Sequence, residues 1–195
     1  MSLTRDAVYG LYGAYRLARF DRAGLSYFDG TREGALRSFR ALWIVIPGFL
    51  LLMMLVRLED GASLGSLLGV ALLKIVGQVI SLFAYLLAVF HLLELWGKAD
   101  RFATYVSVYN WANVVQVGLL LATYAVMKSF NADESMALLL SMLVSFALLA
   151  YQWFIARWSL AADWLGALGY VALDALVTLI VGNLTDVVVL RSQGG

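Results

Sequence analysis

Long apolar runs separated by short polar breaks dominate the chain from residue 41 onward. A helix needs roughly 20 predominantly apolar residues to cross about 30 Å of hydrocarbon. Five segments approach or exceed that length, namely Ala41–Val56 with its flanking residues, 62–97, 103–127, 136–155 and 165–190. The pattern predicts an all-α fold, a polytopic transmembrane helix bundle of about five spans. Four or six spans stay open, because residues 62–97 exceed one perpendicular span and form either one long tilted helix or a span preceded by an interfacial turn.

The first 36 residues follow a different pattern. Residues 4–20 place Val8, Leu11, Tyr12 and Tyr15 at helical spacing, with most charged side chains on other faces. This arrangement predicts an amphipathic helix that lies in the membrane interface. A short surface helix packed on the rest of the protein remains the alternative.

The chain divides into three segments by composition. Residues 1–36 form a basic, amphipathic, cytoplasmic segment, residues 37–190 form the bundle, and residues 191–195 form a short tail. Within the first segment, Asp29-Gly30 is a turn signal, and Thr31 is the predicted cap of a following helix.

Charge and composition define the protein class and its orientation. The chain is 63% hydrophobic and 14% charged, with a mean hydropathy of +0.84, which is typical of an integral membrane protein. Seven arginines precede the first span: Arg5, Arg16, Arg19, Arg22, Arg32, Arg37 and Arg40. The positive-inside rule therefore predicts a cytoplasmic N-terminus and an external C-terminus. We expect a bacterial inner-membrane location.

The N-terminal arginines also suggest an anionic partner. Acidic residues are interspersed among them, and the segment leads directly into a span, so membrane lipids are expected rather than nucleic acid. The candidate headgroup ligands are Arg16, Arg19, Arg32, Arg37 and Arg40.

Polar residues inside the spans recur at helical spacing. Such stripes mark the helix faces that turn away from lipid, so they are expected to meet inside the bundle. The second span carries Lys74, Gln78, Ser81 and Tyr85; the third carries Tyr105, Tyr109, Asn113, Gln116 and Tyr124; the fourth carries Ser141, Ser145 and Gln152; the fifth carries Tyr170, Asp174 and Thr178. Interhelical packing by hydrogen bonds and a functional polar cavity are both consistent with these stripes.

Two charged sites are expected within the spans. Lys74 and Asp186 both lie near the outer side in the predicted topology, so they could form an ion pair. Asp174 lies deeper. Its candidate partners are Tyr109, Asn113, Gln152 or, if the second span tilts, His91; alternatively the carboxyl is protonated, since burial disfavours its charged form. The polar intramembrane cluster thus comprises Lys74, Gln78, Tyr109, Asn113, Gln116, Gln152, Asp174 and Asp186.

Motifs for catalysis or cofactor binding are missing from the sequence. There is no cysteine, no phosphate-binding glycine motif and no zinc-peptidase or serine-hydrolase motif. His91 and Glu94 are too few for a metal site and are interpreted as a surface pair near the inner boundary. We therefore expect no enzyme activity, no metal and no cofactor.

The run GAYRLARFDRAGLSYFDGTREGALRSFRALWIVIPGF, residues 13–49, resembles the start of a group of small, uncharacterised bacterial inner-membrane proteins. The matching features are RLARFD at residues 16–21, Phe28-Asp29, RSF at residues 37–39 and Pro47, with YNWANVV at residues 109–115 further on. This resemblance implies a localisation and does not indicate a mechanism, because no activity is known for the group. The five-span layout is also similar to that of the Yip family of membrane-trafficking proteins, in topology alone.

Three functions are compatible with these patterns. The favoured hypothesis is a non-enzymatic membrane scaffold or accessory subunit that binds other membrane proteins or lipids. The alternative is a small oligomeric transporter or channel in which Asp174 and Lys74 handle protons or ions. An intramembrane enzyme that acts on lipid through His91 and Glu94 is the third hypothesis, weakened by its small number of reactive groups.

Overall fold

Seven α-helices make up most of the described residues in the computed structural model. It describes the backbone of residues 3–59 and 64–193 and the side chains of residues 5–57 and 68–191. The helices are α1 (Leu3–Ala18), α2 (Arg32–Ser38), α3 (Leu42–Glu59), α4 (Leu64–Leu95), α5 (Phe102–Ser129), α6 (Glu134–Ser159) and α7 (Trp164–Gln193). Short 3-10 turns lie at Arg22–Tyr27, Phe39–Ala41 and Ala99–Arg101. These residues contain no β-strand, so the all-α prediction is confirmed for them.

Five of the helices, α3 to α7, are long and apolar enough to cross a membrane, which confirms the predicted number. The over-long second segment is one helix of 32 residues, in agreement with the long-helix alternative. Two predicted boundaries fall inside helices: the one between Leu36 and Arg37 lies within α2, and the tail predicted from Arg191 begins within α7. Residues 60–63 and the last two residues of the tail lie outside the described part.

Tight turns follow α1, α4, α5 and α6. Four helices are followed by a residue with positive φ: Phe20 (58°), Gly97 (66°), Asn131 (46°) and Ala161 (47°). After α4, for example, the N–H of Lys98 donates to the carbonyl of Leu93 over 2.8 Å, which satisfies a carbonyl of the last turn. The chain thus runs back and forth between two ends of the bundle. We call the end that carries α1 and α2 the basic end, and the opposite end the far end.

Helix α1 packs on the bundle through its small residues. The backbone at Gly10 lies directly against the indole ring of Trp111 on α5. The Tyr151 hydroxyl on α6 donates to the carbonyl of Ala14 over 2.8 Å. The predicted apolar stripe is largely exposed, with Tyr12 49% and Tyr15 52% accessible. Helix α1 therefore packs through the face that carries Gly10 and Ala14 and presents aromatic side chains outward.

The N-terminal connector has the predicted cap. Thr31 precedes α2, and its Oγ1 accepts a hydrogen bond from the N–H of Gly34 over 3.0 Å. A side chain in this position satisfies one of the free N–H groups in the first turn. The cap fixes the start of α2, which then continues through the turn at Phe39–Ala41 into α3.

Much of the buried core lies in the half of the bundle near the basic end. Its largest fully buried side chains include Tyr85, Leu93, Val108, Ile155 and Leu160. Toward the far end, α4 packs on α7 and α3 packs on α5. Gly77 permits the first of these contacts, because a Cβ there would collide with Thr185. The prediction that the polar stripe of α6 faces the inside of the bundle is wrong for Ser141 and Ser145. Both are exposed, because the first half of α6 has few neighbours.

Candidate functional site

Asp174 is buried at the junction of α5 and α7. Its side chain accepts hydrogen bonds from the Tyr109 hydroxyl, at 2.9 Å to Oδ1 and 3.1 Å to Oδ2. The residue is only 7% accessible. Tyr109 was one of the predicted partners, and this contact confirms that prediction. The position is set by helical spacing, since Tyr170, Asp174 and Thr178 share one face of α7.

Tyrosine rings enclose this contact. The rings of Tyr85 and Tyr105 lie 5.1 Å and 5.7 Å from the ring of Tyr109, centroid to centroid. The hydroxyls of Tyr85 and Tyr105 are hydrogen-bonded to each other. Both residues were placed on polar stripes by their spacing but not in the candidate cluster. The available signals were the spacing of Tyr105 with Tyr109 on α5 and the spacing of Tyr85 with Ser81 on α4, and the structure adds both residues to the site.

Two glutamines complete the surroundings of Asp174. Nε2 of Gln152 donates to Oε1 of Gln116 over 3.4 Å, and Nε2 of Gln116 is buried with no acceptor among the described residues. Both side chains line a small cavity of about 10 Å³ beside Asp174. That volume accommodates about one water molecule. The site therefore has a carboxylate, a tyrosine hydroxyl and a free amide donor around a space of water size.

A second small cavity adjoins the other side of the cluster. It has a volume of about 30 Å³ and is lined by Gln78, Ser81, Tyr109, Asn113 and Thr178 together with apolar residues. Nδ2 of Asn113 donates to the backbone carbonyl of Tyr109 over 3.1 Å. The hydroxyls of Ser81 and Thr178 are 3.4 Å apart. Tyr109 therefore lines both cavities.

The other predicted charges form a separate site toward the far end. Lys74 on α4 and Asp186 on α7 form the predicted ion pair. Asp186 is 12 residues beyond Asp174, which corresponds to about 18 Å along the helix axis. Both members of the pair lie within candidate spans, yet their side chains are 25% and 55% accessible. The predicted cluster therefore divides into a buried site at Asp174 and a partly exposed pair.

Most of the predicted headgroup arginines contact the protein itself. Arg37 lies 2.7 Å from Asp29, and Arg40 lies 3.2 Å from Asp6, measured between nitrogen and carboxylate oxygen. Arg16 donates to Asp21 through Nε over 2.7 Å. These contacts join α1, the connector and α2 to one another. All five arginines are predicted headgroup ligands, and these three also hold the N-terminal segment together.

The connector carboxylates are stabilised in their charged form. The N–H of Ala23 and the guanidinium of Arg16 lower the pKa of Asp21 from its ordinary value. The N–H and hydroxyl of Thr31, with the guanidinium of Arg37, lower the pKa of Asp29. Hydrogen bonds to a carboxylate favour its ionised state. The N-terminal segment is thus held by ionised side chains.

The remaining candidates are peripheral. Arg19 stacks over Tyr15 at 5.9 Å from the ring centroid, and Arg32 is exposed with no ion pair among the described residues. Nδ1 of His91 is 3.5 Å from Glu94, and both side chains are more than half exposed. His91 is therefore not a partner of Asp174.

The fold and its site define a helical bundle with five helices that could span a membrane and a polar cluster among them. No protein-family model, curated protein or solved structure matches the chain. The resemblance of residues 13–49 to small inner-membrane proteins thus stays a prediction, and the function is argued from the site alone.

Proposed function

We propose that this protein is a non-enzymatic integral membrane scaffold or accessory subunit that binds other membrane proteins or lipids. The proposed location is the bacterial inner membrane, with a cytoplasmic N-terminus and an external C-terminus. The observation that carries the proposal is the Lys74–Asp186 ion pair, which lies within two candidate spans and is only partly covered.

An incompletely covered ion pair at this depth favours a polar partner. Charged groups facing hydrocarbon are costly, and in membrane proteins they face a protein interior or a water-filled space. Gln78, one turn from Lys74 on α4, is exposed as well. We call Lys74, Gln78 and Asp186 the far-end polar patch. A second membrane protein that supplies hydrogen-bonding groups would cover this patch at little cost.

The proposed orientation and the proposed interfacial role of α1 are argued from the placement of charged and aromatic residues. Lys98, Arg101 and Arg157 lie at the basic end together with the seven N-terminal arginines, as the positive-inside rule expects of a cytoplasmic face. Aromatic residues on the outward side of α1 fit the headgroup layer. The guanidinium of Arg5, for example, lies 5.4 Å from the ring centroid of Tyr9.

The test is native mass spectrometry of the protein extracted gently from its own membranes. We expect a defined complex with a different membrane protein. A variant with Lys74→Met and Asp186→Leu should lose that partner, because its patch offers no charges, while Arg191→Met should keep it. A monomer, or only copies of this chain, would contradict the proposal.

A specific observation favours a second candidate, a small transporter or channel. Asp174 and the amide of Gln116 adjoin a cavity that accommodates about one water molecule, and intramembrane carboxylates often belong to proton paths. Liposomes that contain the protein would be assayed for proton and ion flux. Flux that is lost with Asp174→Asn and kept with Asp163→Asn, an exposed carboxylate near the start of α7, would favour this candidate over the scaffold.

A further inference from the structure

An apolar groove runs between α2 and α4 near the basic end. Its volume is about 650 Å³, and its floor includes Ala103 and Val106 of α5. The two helices both approach α5 but leave space between their own side chains. The walls are formed mainly by Leu36, Phe39, Phe83, Leu87 and Phe90.

Aromatic contacts define the two ends of the groove. Phe39 and Phe83 stack in parallel, with centroids 5.6 Å apart and 8° between the ring planes, at the deep end. Phe90 meets Phe102 edge to face at 5.1 Å near the mouth. The wall residues Leu36 and Leu87 are 63% and 58% accessible. The groove is therefore apolar and open along its side.

The mouth of the groove lies where two spans begin. Arg32 and Ala99 line it, and they are the first residues of two candidate spans. Phe39 is seven residues beyond Arg32, so the groove extends about 10 Å toward the membrane interior. A ligand seated here would have one end at headgroup level and the other among acyl chains.

Among the described residues, Arg32 is the only charged side chain that lines the groove. Glu33 lies 3.6 Å from Arg37, and Asp100 lies 3.4 Å from Arg101. Arg32 has no ion pair among the described residues and is exposed. An anionic group above the groove would thus meet an unpaired guanidinium, which binds phosphate oxygens well.

We propose that this groove binds an acyl chain of one anionic phospholipid, whose phosphate contacts Arg32. The groove lining is apolar apart from Arg32 at the mouth, and a phospholipid carries a phosphate at headgroup level above its acyl chains, so it matches the groove better than an apolar partner helix does. The inference rests on the proposed function, because it treats the protein as a binder of membrane components.

The experiment is native mass spectrometry of delipidated protein titrated with phosphatidylglycerol in detergent. We expect one tightly retained lipid and weaker binding of zwitterionic phosphatidylethanolamine. Arg32→Gln should weaken phosphatidylglycerol binding about fivefold, since one basic residue near a membrane surface contributes about that factor. Arg22→Gln is the matched control, an exposed arginine at the same end but outside the groove lining, and it should bind like the unaltered protein.

Two further variants test the apolar part. Ala103→Leu should fill the floor and prevent retention of the lipid, and thermal unfolding would show whether the variant keeps its fold. Leu87→Asn, at an exposed wall position, should weaken binding without touching the core. Equal phosphatidylglycerol affinity in the unaltered protein, Arg32→Gln and Leu87→Asn would overturn the proposal.

Two measurements together separate this inference from the proposed function: the lipid titration, and native mass spectrometry of each variant extracted from its own membranes. If phosphatidylglycerol binding does not depend on Arg32 but a partner protein is retained, only the groove proposal is overturned. A lipid that depends on Arg32, without any partner protein, would support the groove and contradict the accessory role.

Discussion

Lys74 and Asp186 are 112 residues apart in the chain and form an ion pair where α4 crosses α7. Their helices approach closely beside the pair, because Gly77 lies against Thr185. The pair therefore holds together two spans that the sequence separates by two other spans.

Lys74→Met is expected to lower the free energy of unfolding by about 2 kcal/mol. The change leaves the Asp186 carboxylate without its cation, and the loss is below the roughly 3–5 kcal/mol of a fully buried pair because Asp186 is half exposed. The measurement is equilibrium unfolding in detergent micelles. Arg191→Met, an exposed cation near the end of α7, should change stability by less than about 0.5 kcal/mol. Equal losses in both variants would contradict this role of the pair.

Tyr109→Phe is expected to destabilise the protein by about 1–3 kcal/mol. It removes the donor to both oxygens of Asp174 and leaves a buried carboxyl with an unsatisfied hydrogen-bonding group. The double variant with Asp174→Leu should recover part of the loss, since both polar partners are then absent. Tyr12→Phe, at an exposed position, is the control. Strictly additive effects of the two substitutions would argue against a coupled contact.

The sequence predicted about five spans and the Lys74–Asp186 pair, and it named Tyr109 among several candidate partners of Asp174; the structure bears these out. Length and hydropathy predict α3 to α7, and alternating helix direction brings Lys74 and Asp186 to the same depth. Helical spacing also placed Tyr109 and Asp174 on inward faces. Each of these inferences uses only the regular geometry of helices.

Other features depend on which helices are neighbours, and spacing cannot provide that. Ser141 and Ser145 share a helix face, but the start of α6 has few partners there, so they are exposed. The sequence predicts that Arg40 is a headgroup ligand, whereas the fold brings it to Asp6, 34 residues away. The Phe39–Phe83 groove was missed for the same reason, because apolar residues on separate helices carry no signal of their proximity.

Gly10→Ala is expected to loosen α1 from the bundle. A Cβ at this position would overlap the indole of Trp111, which is itself 5% accessible and cannot easily move. Overpacking of this kind costs roughly 1–3 kcal/mol, only partly offset by the better helix propensity of alanine. Limited proteolysis within α1 would measure the effect. Gly118→Ala on α5, where a Cβ has open space, should be neutral or stabilising; equal protease sensitivity of both variants would contradict the predicted contact.

Acid is expected to release the N-terminal segment before the bundle unfolds. The pKa values of Asp21 and Asp29 are lowered in the folded protein, so their contribution is present above the unfolded pKa of about 3.9 and is lost as pH falls through the folded values. Hydrogen exchange from about pH 6 to about pH 3, corrected for intrinsic rates, should show residues 16–38 losing protection ahead of α6. Asp21→Asn should reduce this pH dependence. Uniform loss of protection across the chain would contradict the prediction.

The most direct test of the proposed accessory role is site-specific photo-crosslinking in native membranes. A photoreactive side chain at Asn183, exposed three residues before Asp186, probes the far-end polar patch, and one at Leu139 probes an exposed position near the far end on α6. We expect a discrete adduct with a different membrane protein from position 183 and none from position 139. Lipid adducts alone from both positions, or adducts only between copies of this chain, would contradict the role.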